Sequence, residues 1–244
     1  MYYQRQVEKA NSHKYLCHFT NFDALQKIID NKSLRLSKIT ELNDPIEAKR
    51  VTSVWHNKCF ILSFTNTFDN SGYFWKEYAF DNGVCIVFNN KNIKDNIFIY
   101  YEDDLNIKVP SFQYICDNDC YDENVWGFFD ITKADVMYVD DIEKYAFENK
   151  TEISAGLIKS KFGENKECIV KPWELECETR IRVAVKTKQF EYISKKDKKI
   201  IEPPFKYLYI DLPQIDKVII SPQCENRDRK IIENYLKDKE IKME

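Results

Sequence analysis

Glycine is scarce in this sequence, and long apolar runs are missing from it. The five glycines are scattered along the 244 residues, at Gly72, Gly83, Gly127, Gly156 and Gly163. A dinucleotide-binding GxGxxG turn and a phosphate-binding GxxxxGK[ST] loop both need clustered glycines, so both are excluded. No apolar run approaches the roughly 20 residues that a membrane-spanning helix needs. We therefore expect no association with a membrane.

The overall composition is that of a folded globular protein. Apolar residues make up 43% and charged residues 32%, which is not the balance of a disordered chain. The net charge of −3 argues against a global electrostatic attraction to nucleic acid. Residues 1–5 lack the apolar stretch of a signal peptide, so we expect a cytoplasmic protein with reduced thiols. No linker rich in Pro, Gly or Ser divides the chain, and we predict one domain over residues 1–244.

The cysteine spacing does not favour a metal site. Cys116 and Cys120 form a CxxxC pair, with Cys168 and Cys177 downstream. A structural zinc site usually has two tight pairs, and the second pair is missing here. We therefore expect no metal, and the sequence leaves the role of Cys116 and Cys120 open.

The apolar pattern predicts many short strands and few helices. We predict strands over 15–19, 34–36, 59–64, 84–88, 136–139, 173–186, 207–210 and 217–220, and helices from Thr20 to about 30 and over 71–79, 148–161 and 227–236. Thr20 and Asp23 have the spacing of a capping box. Residues 89–135 are acidic and irregular, so we expect loops with one or two strands, and the segment 100–135 is either a lid or only a loop. The fold class is α+β, with a mixed or mostly antiparallel sheet and flanking helices.

The strand predicted over 173–186 carries the most informative side chains. Period-two alternation places Glu176, Glu178 and Arg180 on one face and apolar residues on the other. On a solvated face these charges would form ion pairs worth roughly 0–1 kcal/mol each. In a cleft, repulsion would raise the pKa of one carboxyl and leave the other to stabilise a developing cation.

Other polar and aromatic residues are candidates for a ligand site. His18 stands at a strand end that faces a helix start, where free N–H groups attract anions, and it is placed to donate to a ribose hydroxyl or a phosphate. Ser63 and Thr65 lie at the end of a buried strand, and Trp75 and Tyr78 are placed to stack on a flat heterocycle. The alternatives are a half-buried histidine bonded to backbone and aromatic residues that only fill the core.

These segments together resemble an uncharacterised family of bacterial proteins known only as a domain of unknown function. The shared motifs are His18-Phe19-Thr20, Asn43-Asp44-Pro45 with Glu47, Ser63-Phe64-Thr65, Trp75 with Tyr78, Gly83-Val84-Cys85-Ile86 with Phe88, and Glu176-x-Glu178-x-Arg180. The match covers about residues 15–220. The chain departs from the family pattern at Phe19, where Tyr is commoner, and at Glu47, which comes one place early.

The opening of the chain also resembles, more distantly, proteins of the ADP-ribosyltransferase fold, including the DNA-targeting ADP-ribosyltransferase toxins. In those proteins a His-x-Thr strand end precedes a helix, and the second Glu of a late Glu-x-Glu is catalytic in the arginine-modifying members. The resemblance implies NAD as the substrate and an ADP-ribosyltransferase-like fold. It also implies a toxin or phage-defence role. The acceptor of the ADP-ribosyl group is a protein, a nucleic acid or, in an NAD glycohydrolase, water.

The resemblance also implies a role for each candidate residue. Glu178 would stabilise the oxocarbenium-like ribose, and Glu176 would position or deprotonate the acceptor. The remaining residues would bind NAD: His18 through a ribose hydroxyl, Thr20 likewise or only as a helix cap, Ser63 and Thr65 by bracing Glu178 or contacting the ribose, Trp75 or Tyr78 by stacking on nicotinamide, and Arg180 by pairing with a carboxylate or the pyrophosphate.

Three other functions stay open at this point. One is a non-catalytic member of the same fold that binds a nucleotide or a partner. Another is a hydrolase that holds a divalent metal through Asp44, Glu47, Glu176 and Glu178, since carboxylate-rich sites suit Mg²⁺. The third is a structural interaction module with all these charges on its surface. The catalytic hypothesis requires His18 and Glu178, which are far apart in the chain, to share one pocket.

Overall fold

The computed structural model describes twelve stretches of the chain. They are residues 2–42, 59–67, 73–79, 82–93, 98–101, 104–110, 126–142, 144–145, 156–164, 170–171, 173–187 and 207–244. Asp44 and Glu47 of the proposed metal set, and Cys116, Cys120 and Cys168, lie outside these stretches.

The fold is mixed α+β, with few helices and a mostly antiparallel sheet. The helices are α1 (Tyr2–Ser12), α2 (Phe22–Asp30) and α3 (Asn226–Asp238). The strands are β1 (Tyr15–Asn21), β2 (Ser33–Lys38), β3 (Cys59–Thr65), β4 (Gly83–Asn89), β5 (Phe98–Tyr101), β6 (Asp104–Pro110), β7 (Trp126–Asp135), β8 (Met137–Val139), β9 (Ile158–Ser160), β10 (Gly163–Glu164), β11 (Val170–Lys171), β12 (Glu178–Thr187), β13 (Leu208–Asp211) and β14 (Ile215–Ile220). A π-helical segment covers Trp75–Ala79, and 3₁₀ turns cover Ile39–Glu41, Asn90–Ile93 and Trp173–Glu176.

Ten of the described strands form one large sheet in two halves that meet at β3, and β8–β9 and β10–β11 are separate two-stranded pairs. One half has the order β14-β4-β1-β3-β12-β7, and the other continues from β3 as β2-β13-β5-β6. Every pairing in this sheet is antiparallel, whereas the short β8–β9 pair is parallel. On one edge of β3, β2 pairs with Phe60 and Ile61, and β1 pairs only with Thr65. Because β1 and β2 diverge between these points, the sheet opens beside the middle of β3.

Apolar side chains cover both faces of the central strands. The larger core joins Leu25 and Ile29 of α2 and Ile232 and Leu236 of α3 to one face of the sheet. A smaller aromatic core packs the π-helical segment onto the other face. Burying a side chain of this size stabilises the fold by about 1.5–3 kcal/mol. Strands covered in this way read as continuous apolar runs, which is why β3 and β4 are evident in the sequence.

The helix start after β1 differs from the expectation. Asn21, and not Thr20, caps α2, because its side chain accepts a hydrogen bond of 2.8 Å from the Ala24 N–H. Thr20 remains in β1, where it pairs with Val84. The observed cap agrees with the general preference for Asn over Thr at helix N-caps.

The strand predicted over 173–186 is wrong at its start. Trp173–Glu176 is a 3₁₀ turn, Cys177 has a left-handed φ of 43°, and β12 begins only at Glu178. Glu176 therefore does not share a strand face with Glu178. The turn is held by backbone hydrogen bonds from Glu174 N–H to the Lys161 carbonyl and from Cys177 N–H to the Glu174 carbonyl.

Other predicted elements also need correction. The end of the helix predicted over 148–161 is strand β9, and residues 146–155 lie outside the described part. The described residues of the acidic region 89–135 include three strands, β5, β6 and β7, where one or two were expected, and part of the segment 100–135 predicted as a lid or loop is therefore strand. Helix α1 has no counterpart among the predictions. None of the described helices is long and apolar enough to cross a bilayer.

Candidate functional site

A cavity of about 620 Å³ lies where β1 and β2 diverge from β3. Its volume is within the range of small-molecule and cofactor sites. The candidate residues that line it are His18, Thr20, Ser63, Thr65, Tyr78, Glu176, Glu178 and Arg180. The sheet opening thus brings together all but Trp75 of the residues assigned to an NAD site from the sequence.

His18 is fixed by the exposed edge of β3. Its Nδ1 lies 3.1 Å from the Ser63 carbonyl oxygen, at a position where β3 has no strand partner on that edge. Burial lowers the pKa of His18 and outweighs the opposing effect of this hydrogen bond. The neutral ring therefore donates through Nδ1, and Nε2 is a hydrogen-bond acceptor. Nε2 is thus suited to a ribose hydroxyl rather than to a phosphate.

Glu178 is a buried carboxylate held by cations. Arg180 donates from Nη2 to both carboxylate oxygens, at 3.1 and 2.9 Å, and from Nε to one of them at 3.2 Å. Lys159 Nζ lies 3.3 Å from Glu178 Oε2. Burial opposes ionisation, but Arg180, Lys159 and the Ser63 side chain together lower the pKa of Glu178 to about 2. Glu178 is therefore ionised at neutral pH.

Glu176 reaches the same place from the 3₁₀ turn. It accepts a hydrogen bond from the Tyr78 hydroxyl and forms an ion pair with Lys159, whose Nζ lies 2.7 Å from Glu176 Oε2. Its side chain is almost completely buried. Burial and the charge of Glu178 raise the pKa of Glu176, and the two donors offset this only in part.

The two carboxyls are therefore pushed in opposite directions. Glu178 is the permanent anion, and Glu176, whose pKa is raised by burial and by the charge of Glu178, is the group of the two that takes up a proton more readily. Pairs of titratable groups with divergent pKa values are typical of sites that use one as a charge and the other as an acid or base. The arrangement can thus stabilise a cation and accept a proton within one cavity.

Two half-buried tyrosines complete the surroundings of the carboxylates. The Tyr138 hydroxyl lies 3.4 Å from Glu178 Oε2 and accepts a hydrogen bond of 3.2 Å from the Glu178 N–H. Burial and the neighbouring carboxylates raise the pKa of both Tyr138 and Tyr78. Both phenols therefore stay protonated and act as donors.

The Thr65 hydroxyl is bonded within the turn after β3, and Trp75 lies outside the cavity. The Thr65 hydroxyl donates to the Thr67 carbonyl at 3.2 Å, so it closes the turn after β3. Trp75 does not line the cavity; it is 2% exposed and packs edge-on against Phe19. Of the two aromatic residues suggested for stacking, the structure brings only Tyr78 to the cavity.

Two further cationic side chains line the cavity. Lys27 on α2 and Arg35 on β2 line it with exposed side chains, and the Arg35 guanidinium lies over the Tyr207 ring at 4.4 Å. Sequence reasoning missed both. Arg35 had a signal, because it is the outward residue between Leu34 and Leu36 in an alternating strand.

Lys159 was also missed, and no sequence signal pointed to it. It lies on β9 within a segment expected to be helical. In the parallel β8–β9 pair, Tyr138 is the register partner of Lys159, so this short ribbon delivers both side chains to Glu178.

The metal-hydrolase alternative gains nothing from the described residues. Among them, no group of three or more His, Cys, Asp or Glu side chains is placed to hold a metal ion. Glu176 and Glu178, the two described members of the proposed set, are neutralised by Lys159 and Arg180. A cation already stands where a metal would bind.

Comparison of the chain with protein families, with curated proteins and with solved structures finds no match. The functional interpretation therefore depends on the cavity and on the sequence motifs.

Proposed function

We propose that this chain binds NAD in the cavity beside β3 and breaks the bond between nicotinamide and ribose. The observation that carries this proposal is that His18, from the start of the chain, lines one cavity together with Glu176 and Glu178, which follow about 160 residues later. The proposal agrees with the resemblance to ADP-ribosyltransferases. The proposal includes an ADP-ribosyltransferase-like fold for the sheet whose two halves meet at β3.

Cleavage of NAD requires stabilisation of an oxocarbenium-like ribose. As the bond from ribose C1′ to the pyridinium nitrogen breaks, nicotinamide leaves as a neutral molecule with the bonding electron pair. The ionised Glu178 carboxylate stabilises the positive charge that develops on the ribose, and it does so most strongly where water is excluded. The acceptor oxygen or nitrogen then forms the new bond to C1′, and its proton passes to Glu176, whose raised pKa suits it to this role.

The remaining groups orient the dinucleotide. His18 Nε2 accepts a hydrogen bond from a ribose hydroxyl, because its Nδ1 is committed to the Ser63 carbonyl. Lys27 and Arg35, the two exposed cations of the lining, bind the pyrophosphate. Arg180 does not serve this purpose in our proposal, because its guanidinium is buried against Glu178 and the Gly156 carbonyl.

Release of nicotinamide from NAD by the purified protein is the direct test. We expect Glu178→Gln to abolish release, because it keeps the shape of the side chain and removes its charge. Glu174→Gln is the matched control, since Glu174 lies in the neighbouring 3₁₀ turn and does not line the cavity. Undiminished turnover by the Glu178→Gln variant of an active protein would refute the assignment.

The products and the affinity complete the test. Free ADP-ribose identifies water as the acceptor, whereas label transferred from NAD to a protein or nucleic acid identifies a transferase. Replacing both Lys27 and Arg35 with Ala should weaken NAD binding by about tenfold or more, because each charge-assisted hydrogen bond contributes about 1.5–3 kcal/mol. Unchanged affinity would place the pyrophosphate elsewhere.

Non-catalytic binding of a nucleotide is the second candidate, and a specific observation favours it. Both oxygens of Glu178 already accept hydrogen bonds from Arg180, and the residue is only 8% exposed. A carboxylate so engaged has little capacity left for a ribose cation. Calorimetry that detects NAD binding, together with an assay that detects no nicotinamide, would select this alternative.

A further inference from the structure

Lys159 is a buried cation placed between two carboxylates. Its ammonium lies 2.7 Å from Glu176 Oε2 and 3.3 Å from Glu178 Oε2, and the residue is 4% exposed. A lysine is almost never buried to this degree unless it is paired. Exposed ion pairs contribute little, but an unpaired charge in such a site is strongly unfavourable.

We propose that Lys159 is a positioning residue: its ammonium bridges Glu176 and Glu178, turns both toward the same cavity, and allows the two carboxylates to carry charge side by side. For its catalytic consequence this inference rests on the proposed function, because it is the ionised Glu176 that receives the proton of the acceptor. The bridge itself does not depend on NAD.

The surroundings of Glu176 show why the ammonium is needed. Glu178 and Arg180 on β12 form a pair of their own, and the Tyr138 hydroxyl from β8 faces Glu178. Tyr78 donates a neutral hydrogen bond to Glu176. The other titratable groups near Glu176 are Tyr73, which precedes the π-helical segment and whose pKa is raised by burial and by Glu176, and neutral His18 on β1, which lines the same cavity.

Lys159 is thus the cation that faces Glu176 most closely among the described residues. Without it, Glu176 would stand next to the Glu178 carboxylate in an almost fully buried position. A carboxyl in that environment takes up a proton at neutral pH. Removal of the Lys159 charge should therefore change the titration of the Glu176 carboxyl.

Carbon-13 NMR titration of the glutamate side-chain carboxyls tests the bridge directly. In Lys159→Met we expect the midpoint of the Glu176 titration to rise by about 1–3 pH units, the range by which a nearby opposite charge shifts a carboxyl. The Glu176 signal is assigned as the one that disappears in Glu176→Gln. An unchanged Glu176 midpoint in Lys159→Met would overturn the proposal.

Lys161→Met is the matched control. Lys161 lies two residues away, pairs with Asp140 at 3.1 Å on the surface, and does not line the cavity. Its replacement should leave the Glu176 midpoint where it is in the wild type. A shift as large as that in Lys159→Met would mean that the segment acts through general packing, and would contradict a specific bridge.

A double variant keeps the proposal testable if Lys159→Met does not fold. Lys159→Met/Glu176→Gln removes the ammonium together with the charge that it neutralises, and it leaves the Glu178–Arg180 pair intact. We expect this double variant to fold where Lys159→Met does not, and to unfold at a higher urea concentration than Lys159→Met where both fold. A double variant no more stable than Lys159→Met would refute the pairing.

The outcomes separate this inference from the proposed function. If the Glu176 midpoint moves as expected and the protein releases no nicotinamide, the bridge stands and NAD cleavage fails. If nicotinamide is released and the midpoint does not move, NAD cleavage stands and the bridge fails. If both hold, the acid limb of the pH profile for nicotinamide release should move upward in Lys159→Met, which a purely structural role would not cause.

Discussion

The buried pair of Arg180 and Glu178 offers the sharpest test of the electrostatics. Arg180 is 2% exposed. Its Nη2 donates to both Glu178 carboxylate oxygens, and its Nη1 donates to the Gly156 carbonyl at 3.0 Å. Arg180→Met keeps much of the side-chain volume and removes the charge. It leaves Glu178 buried, with Lys159 as the nearest described cation, and Lys159 is closer to Glu176 than to Glu178.

Two magnitudes bear on this change. Removing one member of a buried ion pair destabilises a protein by about 3–5 kcal/mol. The pKa of Glu178 falls from 4.5 to about 2 on folding through the combined action of burial, Arg180, Lys159 and Ser63, and at about 1.4 kcal/mol for each pH unit this net effect corresponds to about 3 kcal/mol. We therefore expect Arg180→Met to lower the free energy of unfolding by about 3 kcal/mol at pH 7.

The pH dependence gives the sign of the effect. Because the pKa of Glu178 is lower in the folded state, its stabilisation is present above pH 4.5 and is lost as the pH falls toward 2. The difference in unfolding free energy between wild type and Arg180→Met should thus be full at pH 6–7 and shrink below about pH 4. Because the pKa of Glu176 is raised on folding, its contribution to stability varies with pH in the opposite direction. Glu176 is present in both proteins, so this contribution does not enter the difference between them.

Urea unfolding of a double-mutant cycle is the assay. Arg180→Met/Glu178→Gln should lose less free energy than the sum of the two single variants, because the second change removes the charge that the first leaves unpaired. Lys239→Met is the control: Lys239 pairs with Asp30 at 2.7 Å, but both side chains are exposed, so a much smaller effect is expected. Strict additivity in the cycle, or a loss at pH 7 no larger than in the control, would refute the reasoning.

Three further predictions concern single positions. Asn21→Ala should destabilise the protein by about 1 kcal/mol through loss of the α2 cap, measured by urea unfolding, whereas Thr20→Ala should leave that cap intact. Trp75→Phe should leave NAD affinity in calorimetry unchanged, because Trp75 is outside the cavity; a large loss of affinity would contradict that placement. Gly156→Ala should destabilise the fold, since Gly156 has a φ of 76° and an added Cβ would lie 2.3 Å from Ile61 Cδ1; a variant with the wild-type melting temperature would contradict this.

Elements with a strong local pattern were predictable. Strands β1, β3 and β4, helix α2 and helix α3 agree with their apolar periodicity to within a few residues. In these segments the residues that set the backbone conformation are neighbours in the chain. The fold class follows from their number and order, and the mostly antiparallel sheet confirms it.

The segment before β12 shows where local pattern misleads. Residues 173–178 alternate as a strand would, yet Glu176 is buried because Lys159 and Tyr78 hold it there. Those partners lie far away in the sequence, and their contacts outweigh the local preference for an extended backbone. The same reason explains why β9 was mistaken for the end of a helix.

Periodicity, motif order and residue type were enough to predict strands such as β1, β3 and β4, the α+β class and the candidate residues His18, Glu176 and Glu178. The cavity beside β3, the pairing of Glu178 with Arg180, the position of Lys159 and the burial of Trp75 emerge only in three dimensions. Local patterns record which backbone conformation each segment prefers. The charge balance of a buried site depends on which distant side chains meet, and that is decided when the sheet assembles.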